Sequence, residues 1–372
     1  MRALFCPLSD PGYLYPATAV ALETHRRGHS VAIVSSGPAA RAAEEAGLTV
    51  LPPDGSYAVS GWFRSAYGQY EHIRRTVRRT RPDVLVASVL SPGALVAAEV
   101  LELPVVVLGL ACHLWPHRGD GGETDPQDRA WRLDSTLDVH RALRAELGLR
   151  QVGAARQDAL LGTSFLLRGH PSLEPPGAEL PARVRHVGPC WWEPPADEEE
   201  LHSVRSRLDR VGKPVVYVHL GRVFGGESLW PWIQRAFTGG EFQAVVELGR
   251  SAAPPGLPDA ADVTAVRLPW MSPLLERSAL AVSSGTSAPV LGSLLHRRPL
   301  LLSPNGGEQA VLAAACRRAG VAGVLDRTRG GGQLRTAADD DVTTGRAHRM
   351  SDELIQAKSE SRAAQAVEEA CR

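Results

Sequence analysis

The sequence has few cysteines and no motif that would give them a shared role. Five are scattered along the chain: Cys6, Cys112, Cys190, Cys316 and Cys371. Their number is odd and no two form a Cys-x-x-Cys pair, so the spacing supports neither a zinc site nor a disulfide framework. We therefore expect reduced thiols in a cytoplasmic protein.

An excess of charge of either sign is also missing. Lys and Arg total 41 and Asp and Glu total 41, which gives a formal net charge of zero. No basic stripe stands out along the sequence, and this argues against a nucleic-acid-binding surface. We expect no nucleic acid among the partners.

Long hydrophobic runs are absent as well. No apolar stretch reaches the roughly 18 residues that a membrane-spanning helix needs. The N-terminal apolar segment is interrupted by Pro7 and Pro11, which is unlike the core of a signal peptide. The sequence therefore predicts no membrane association.

The chain does contain enough apolar material for two cores. It has 372 residues, of which 44% are hydrophobic and 22% charged, and this length exceeds what one core usually supports. Short apolar runs such as Ser30–Ser35 and Val215–His219 alternate with helical patterns in both halves. This alternation predicts an α/β protein with two Rossmann-like, doubly wound domains.

The domain boundary is predicted at a linker rich in proline and acidic residues, which spans His186–Glu200. We expect an N-terminal domain over residues 1–190, a C-terminal domain over 191–350, and a final helix over 351–372 that packs back toward the N-terminal domain. The first helix is predicted to follow a loop over Leu8–Leu14. A mobile loop is predicted over Arg329–Asp341, and one last helix from an N-cap near Ser351 to Ala370.

Several segments occur in an order that matches a known family. They are Gly12-Tyr-Leu-Tyr-Pro16, Arg27-Gly-His-Ser-Val31, Val187-Gly188-Pro189, Val215-Val-Tyr-Val-His-Leu-Gly221, Leu268-Pro269-Trp270, Val282-Ser-Ser-Gly-Thr-Ser287 and Pro304-Asn-Gly-Gly-Glu308-Gln309. No single segment is specific. Together, in this order and spacing, they resemble the GT-B glycosyltransferases that decorate natural products in actinomycetes.

The resemblance implies two domains facing across a cleft, with the nucleotide-sugar donor on the C-terminal domain and the acceptor on the N-terminal domain. The implied activity is transfer of a sugar from dTDP or UDP to a small secondary metabolite, with inversion. The implied donor-binding residues are Gly221, Arg222, Trp270, Ser284, Gly285, Thr286, Ser287, Glu308 and Gln309. The implied acceptor-binding residues are Gly12, Tyr13, Trp62, Phe63 and His113.

Physical chemistry supports these roles and leaves alternatives for each. Ser284–Ser287 lies between a predicted strand and a predicted helix, where helix amides suit a diphosphate, although such turns are common. Arg222 would bind diphosphate oxygens as a fork or be a solvated loop residue. Trp270 would stack on the base or pack in the core. Glu308 and Gln309 would bind sugar hydroxyls or start a helix.

The expected catalytic dyad is missing. In most relatives a histidine base occupies the position of Tyr13, oriented by an aspartate at the position of about Ser88, and another histidine replaces Ser284. Tyrosine titrates near a pKa of about 10, which suits it poorly to general base catalysis at neutral pH. The candidate catalytic residues are therefore Asp10 and Tyr13, with His113 and His117 as further candidates from the irregular segment after the fifth strand.

Three other accounts of the missing base remain open. The acceptor is acidic and needs little activation, or binding and orientation supply most of the rate, or the chain is a non-catalytic partner protein on the same fold. A nucleotide-sugar epimerase on this fold is a further alternative. We expect no metal and no cofactor besides the donor, because no DxD-type motif lies near the site. A homodimer is compatible with the sequence.

Overall fold

The computed structural model describes residues 1–55, 57–119, 125–150, 157–221, 226–254 and 262–372. The chain forms two compact units. The first comprises Met1–Pro194 together with Ala357–Arg372, and the second comprises Pro195–Gln356. The domain boundaries predicted from the sequence fall after residues 190 and 350.

Within its described residues, the first unit contains a parallel sheet of seven strands in the order β3-β2-β1-β4-β5-β6-β7. The strands are β1 (Arg2–Cys6), β2 (Ser30–Val34), β3 (Thr49–Leu51), β4 (Val84–Ser88), β5 (Val105–Leu108), β6 (Ser164–Leu167) and β7 (Val184–His186). Every residue of β4, β5 and β6 is buried. This explains their largely apolar sequences, because helices cover both faces of a parallel sheet.

The helices of the first unit come from both ends of the chain. They are α1 (Pro11–Arg26), α2 (Pro38–Glu45), α3 (Ala66–Thr80), α4 (Pro92–Val100), α5 (Asp125–Glu146) and, after the whole of the second unit, α13 (Ser359–Glu369). Buried Ala363, Ala366 and Val367 of α13 belong to the same apolar cluster as Val20 of α1. The C-terminal helix is thus part of the core of the first unit.

The described residues of the second unit form a parallel sheet of six strands in the order β10-β9-β8-β11-β12-β13. The strands are β8 (Val215–His219), β9 (Gln243–Glu247), β10 (Val263–Val266), β11 (Ser278–Ser283), β12 (Leu300–Leu302) and β13 (Ala322–Val324). The helices are α6 (Glu198–Val211), α7 (Trp230–Phe237), α8 (Ser272–Arg277), α9 (Ser287–Leu295), α10 (Gln309–Ala319), α11 (Gly332–Ala338) and α12 (Asp341–Gln356). In neither unit is any described helix both long and apolar enough to cross a membrane.

Local sequence signals explain where the helices begin and end. The carboxylate of Asp197 accepts a hydrogen bond from Glu200 N at 2.8 Å and caps α6. That helix ends at Gly212, whose φ of +70° suits glycine. The predicted loop over Leu8–Leu14 is wrong in its second half, because α1 already begins at Pro11. Proline is favoured at a first helical position, where its missing N–H costs no hydrogen bond.

Two predictions for the C-terminal region are also wrong. The segment predicted as a mobile loop contains α11, which buries Leu334 completely. The single predicted helix after Ser351 is two helices, because Lys358 takes a left-handed conformation with φ of +50°. Ser351 is not an N-cap but lies inside α12, where its hydroxyl donates to Leu295 O at 2.9 Å. The side chain of Asp340 caps α12 instead, accepting from Val342 N and Thr343 N at 3.0 Å each.

Candidate functional site

The order of the second sheet reverses between β8 and β11, which are neighbours although they are not consecutive in the chain. Their last residues, His219 and Ser283, are register partners. In open α/β sheets a crevice forms beyond the carboxyl ends of the two strands at such a switch point, and ligands bind there. The segments that follow β8 and β11 therefore lie where a ligand is expected to bind.

Gly221 and Ser284 meet at this position. Gly221 has a φ of +83°, and a Cβ atom on it would lie 3.3 Å from Ser284 Oγ. Its amide donates to His219 Nδ1 at 3.0 Å, which fixes the turn. Ser284 is 1% exposed. Its hydroxyl has no hydrogen-bond partner in the described part of the chain. A buried hydroxyl of this kind normally has a partner, so this one suits a bound polar ligand.

The segment after Ser284 brings a helix N-terminus to the same place. Gly285 has a φ of +88°, and its Cβ would lie 3.0 Å from Gln309 O. Thr286 is the N-cap of α9 but, among the described residues, its side chain caps no backbone amide. The first amides of a helix have no partner inside the helix, and the helix dipole favours negative charge there. The predicted residues Ser284–Ser287 thus line an edge suited to an anion.

The exit from β12 lies next to these residues. Ser303 N donates to Ser283 O at 2.9 Å, which continues the sheet beyond β12. Gln309 is buried, and its side-chain oxygen accepts from Asn305 N at 2.8 Å, which holds the 305–309 turn closed. Glu308 is half-buried at the start of α10. Of the predicted pair, Gln309 shapes the turn and Glu308 has the more accessible side chain.

Two predicted donor residues, Trp270 and Arg222, are not among the described residues that meet around Ser284. Trp270 follows β10 at the same edge of the sheet but is 2% exposed, so its indole has little surface to offer a nucleotide base. Stacking by Trp270 therefore requires a neighbouring group to move, and it stays a prediction. Arg222 lies outside the described residues.

Sequence reasoning missed Arg327, which follows β13 at the same edge. Its Nε donates to Ser303 Oγ at 2.8 Å, its Nη1 to Ser228 Oγ at 3.0 Å, and its Nη2 to Asn305 Oδ1. Its position two residues after the predicted strand that ends near Leu325 is the signal that could have found it. The partners could not be found this way, because Ser228 is 99 residues away in the chain.

In the first unit, the predicted residues Asp10, Gly12 and Tyr13 lie at the start of α1. Asp10 is buried, and its Oδ2 accepts from Val59 N at 2.5 Å, so this carboxylate holds the segment that precedes Trp62. Tyr13 is half-buried against an apolar cluster. Asp10 therefore has a structural function here.

Ser88, at the position where the resemblance implies an orienting aspartate, is also in a structural role. It is buried at the end of β4, and its Oγ accepts a hydrogen bond from Leu8 N at 3.3 Å. A serine hydroxyl carries no charge that would stabilise a protonated base. The dyad expected from the resemblance is therefore absent from both of its positions.

The remaining predicted acceptor residues differ in exposure. Phe63 is 47% exposed, and its ring lies 6.1 Å from the largely buried ring of Trp62. His113 is 0% exposed and packs edge-on against Trp115 and Phe165. Burial lowers the pKa of His113 well below its ordinary value. Only Phe63 of these three offers a broad apolar surface without rearrangement.

A second arginine that sequence reasoning missed lies beneath the start of α1. Arg168 is fully buried just after β6, and it donates to Gly109 O at 2.9 Å and to Gly12 O at 3.4 Å. Burial lowers the pKa of its guanidinium to about 10. The described residues form no ion pair with it, so its partners are backbone carbonyls.

No protein-family model matches the sequence, and no curated protein matches it. Solved structures do match over the whole chain. The spinosyn forosaminyltransferase SpnP has a TM-score of 0.76 at 17% identity, covering 100% of this chain and 99% of its own. The glycosyltransferase SnogD from Streptomyces nogalater has a TM-score of 0.72 at 20% identity, covering 100% of both chains.

The glycosyltransferase VinC, solved in complex with dTDP, has a TM-score of 0.71 at 19% identity and covers 100% of this chain and 99% of its own. At sequence identities this low, a structural match shows a shared fold and nothing more. The fold class predicted from the sequence, with two doubly wound parallel sheets, is confirmed. This chain has the GT-B fold of natural-product glycosyltransferases.

Proposed function

We propose that the protein is a glycosyltransferase that moves a sugar from a nucleoside diphosphate, dTDP or UDP, to a small natural-product acceptor. The observation that carries the proposal is the carboxyl edge of β8 and β11. There Gly221, the N-terminus of α9 and the hydroxyl of Ser284, which has no partner among the described residues, converge. The dTDP complexes of two proteins with the same fold, VinC and SsfS6, add support.

The proposed chemistry is a displacement at the anomeric carbon with inversion. The bond between the sugar and the diphosphate breaks, and the acceptor oxygen forms the new bond from the opposite side. Negative charge grows on the leaving diphosphate, so donors fixed in advance around it lower the barrier. We assign this role to Ser284 Oγ and the first amides of α9, and Glu308 is the candidate contact for sugar hydroxyls.

Activation of the acceptor is proposed to need little base assistance. Tyr13 replaces a histidine, and Ser88 is engaged by Leu8 N. Asp10, the other catalytic candidate, holds Val59 N. An acceptor with an acidic hydroxyl or a carboxylate would supply its own nucleophilic oxygen. Orientation then carries most of the rate.

The donor part of the proposal is tested by calorimetric titration with dTDP, UDP and GDP, each with and without magnesium. We expect micromolar binding of one nucleotide, unchanged by the metal. If none of the three binds, the donor site and the transferase proposal both fail. If binding needs magnesium, the expectation that no metal takes part fails instead.

A non-catalytic homologue is the second candidate, favoured by Tyr13 and Ser88 at the positions of the expected dyad. It would keep nucleotide binding and lose turnover. The transferase and the non-catalytic homologue are distinguished by incubation with dTDP-glucose or UDP-glucose, followed by proton NMR. No acceptor needs to be known, because slow transfer of the sugar to water also reports turnover. Release of the β-anomer from an α-linked donor supports an inverting transferase, and no release above the blank favours the non-catalytic homologue.

A further inference from the structure

The guanidinium of Arg327 joins three segments at the carboxyl edge of the second sheet. Leu325 N donates to Leu302 O at 2.9 Å, which keeps the chain after β13 beside β12. From there the side chain reaches Ser303 and Asn305, which follow β12, and Ser228, which precedes α7. Arg327 thus lies at the carboxyl ends of β12 and β13, and β12 is the neighbour of β11 at the switch point.

The positive charge of Arg327 has no carboxylate partner among the described residues. Its three hydrogen-bond acceptors are two hydroxyls and an amide oxygen, all neutral. The adjacent Asp326 is engaged by Thr328 instead. A guanidinium has five N–H donors, so two remain after these three bonds. A half-buried cation without a counter-ion favours binding of an anion.

Two further polar groups at this edge have no hydrogen-bond partner among the residues that the structure describes. Ser284 Oγ is one, and Asn305 Nδ2, whose amide oxygen is bound by Arg327, is another. Ser283 and Leu302 are register partners on neighbouring strands. Ser303 N donates to Ser283 O at 2.9 Å, so the chain after β12 stays beside the end of β11, where neighbouring strands are ~4.8 Å apart. A diphosphate bound at Ser284 lies within reach of the guanidinium that Ser303 holds.

We propose that Arg327 is a donor-binding residue whose two remaining N–H groups bind the diphosphate of the nucleotide sugar. This inference rests on the proposed function and names the residue that supplies positive charge where a histidine is missing. The hydrogen bonds to Ser303, Asn305 and Ser228 hold the fork in place before the ligand arrives. Less conformational entropy is then lost on binding.

The test compares wild type with Arg327→Met by calorimetry. Whichever of dTDP, UDP or GDP binds wild type is used together with its own nucleoside. Loss of a charge-assisted contact predicts a fall in diphosphate affinity of roughly 10- to 100-fold. Affinity for the nucleoside, which lacks phosphate, stays the same. Arg335→Met is the matched control, because it removes an exposed arginine of the same unit that pairs with Glu241, and it leaves both affinities unchanged.

Three results would overturn the inference. Equal losses for diphosphate and nucleoside would make Arg327 a structural brace, and an unchanged diphosphate affinity would remove it from the site. No binding to wild type would instead overturn the proposed function, and the inference with it. If Arg327→Met does not fold, Arg327→Lys serves. It keeps the charge without the fork, so we expect an intermediate, roughly 5- to 10-fold loss for the diphosphate alone.

Discussion

Replacing Gly285 by alanine perturbs the candidate donor edge with one methyl group. Gly285 has a φ of +88°, and the new Cβ would lie 3.0 Å from Gln309 O. That oxygen belongs to the backbone at the start of α10, so it cannot move aside as a flexible side chain would. The turn after β11 or the turn after β12 must shift instead.

The expected loss of stability has two parts. A left-handed conformation costs an L-residue about 1–2 kcal/mol relative to glycine. Inserting a methyl group into a tightly packed place costs about a further 1–3 kcal/mol. We therefore expect Gly285→Ala to lower the free energy of unfolding by about 2–5 kcal/mol. Displacement of Ser284 should also reduce nucleotide affinity at least tenfold, which corresponds to about 1.4 kcal/mol.

Urea unfolding followed by tryptophan fluorescence measures the first effect, and calorimetry measures the second. Gly239→Ala is the matched control in the same unit. Gly239 also has a positive φ, +68°, but nothing lies within 4 Å of its Cβ position. It should lose only the conformational part, about 1–2 kcal/mol, and bind nucleotide like wild type. Equal losses of stability in the two variants, with nucleotide affinity unchanged in Gly285→Ala, would refute this reasoning.

Three further predictions concern single side chains. Ser284→Ala should leave the urea midpoint unchanged, because its hydroxyl has no hydrogen-bond partner within the described part of the chain, yet weaken nucleotide binding roughly tenfold by calorimetry; a large stability loss would contradict this. Burial lowers the pKa of His140 to about 4. This folded-state pKa lies below the unfolded value of 6.5. The contribution of neutral His140 to the free energy of unfolding is therefore complete at pH 7.5 and is lost as pH falls through 6.5 toward 4. The free energy of unfolding is measured at pH 7.5 and 5.5 for both proteins. Between these values it should fall by about 1 kcal/mol less in His140→Gln than in wild type, and an equal fall would refute the lowered pKa of His140. Leu334→Ala should cost about 2–5 kcal/mol in urea unfolding because α11 buries this side chain, whereas a change below about 0.5 kcal/mol would restore the mobile-loop prediction.

Strand and helix patterns could be predicted where the signal is local. Val215–His219 was predicted as a strand from its apolar run alone, and it is β8 with the same bounds. Parallel strands covered on both faces have sequences of this kind. The turn predicted at Ser284–Ser287 does follow β11, although its last residue, Ser287, already begins α9.

Features that depend on distant partners could not be predicted. Arg327 and Arg168 bind groups far away in sequence, so neither stood out among the many arginines. The helix α11 was missed because three glycines, Gly330–Gly332, stand at its start. The core cluster in which Leu334 is buried is built from residues distant in the sequence. The break between α12 and α13 at Lys358 was missed because the contact beside it involves a residue distant in the sequence. The hydroxyl of Ser359 accepts a hydrogen bond from Cys190 N at 3.1 Å, across 169 residues of the chain.

The return of α13 to the first unit affects how this protein could exchange parts with its structural relatives. The second unit is an insertion, since the chain leaves the first unit at Pro194 and re-enters it at Ala357. Gly188 packs against the re-entry, where its Cβ would lie 2.9 Å from Ser359 Cβ. A chimaera cut once, near residue 194, would pair a foreign last helix with the core of the first unit. A functional swap therefore needs two junctions, one at each crossing of the chain.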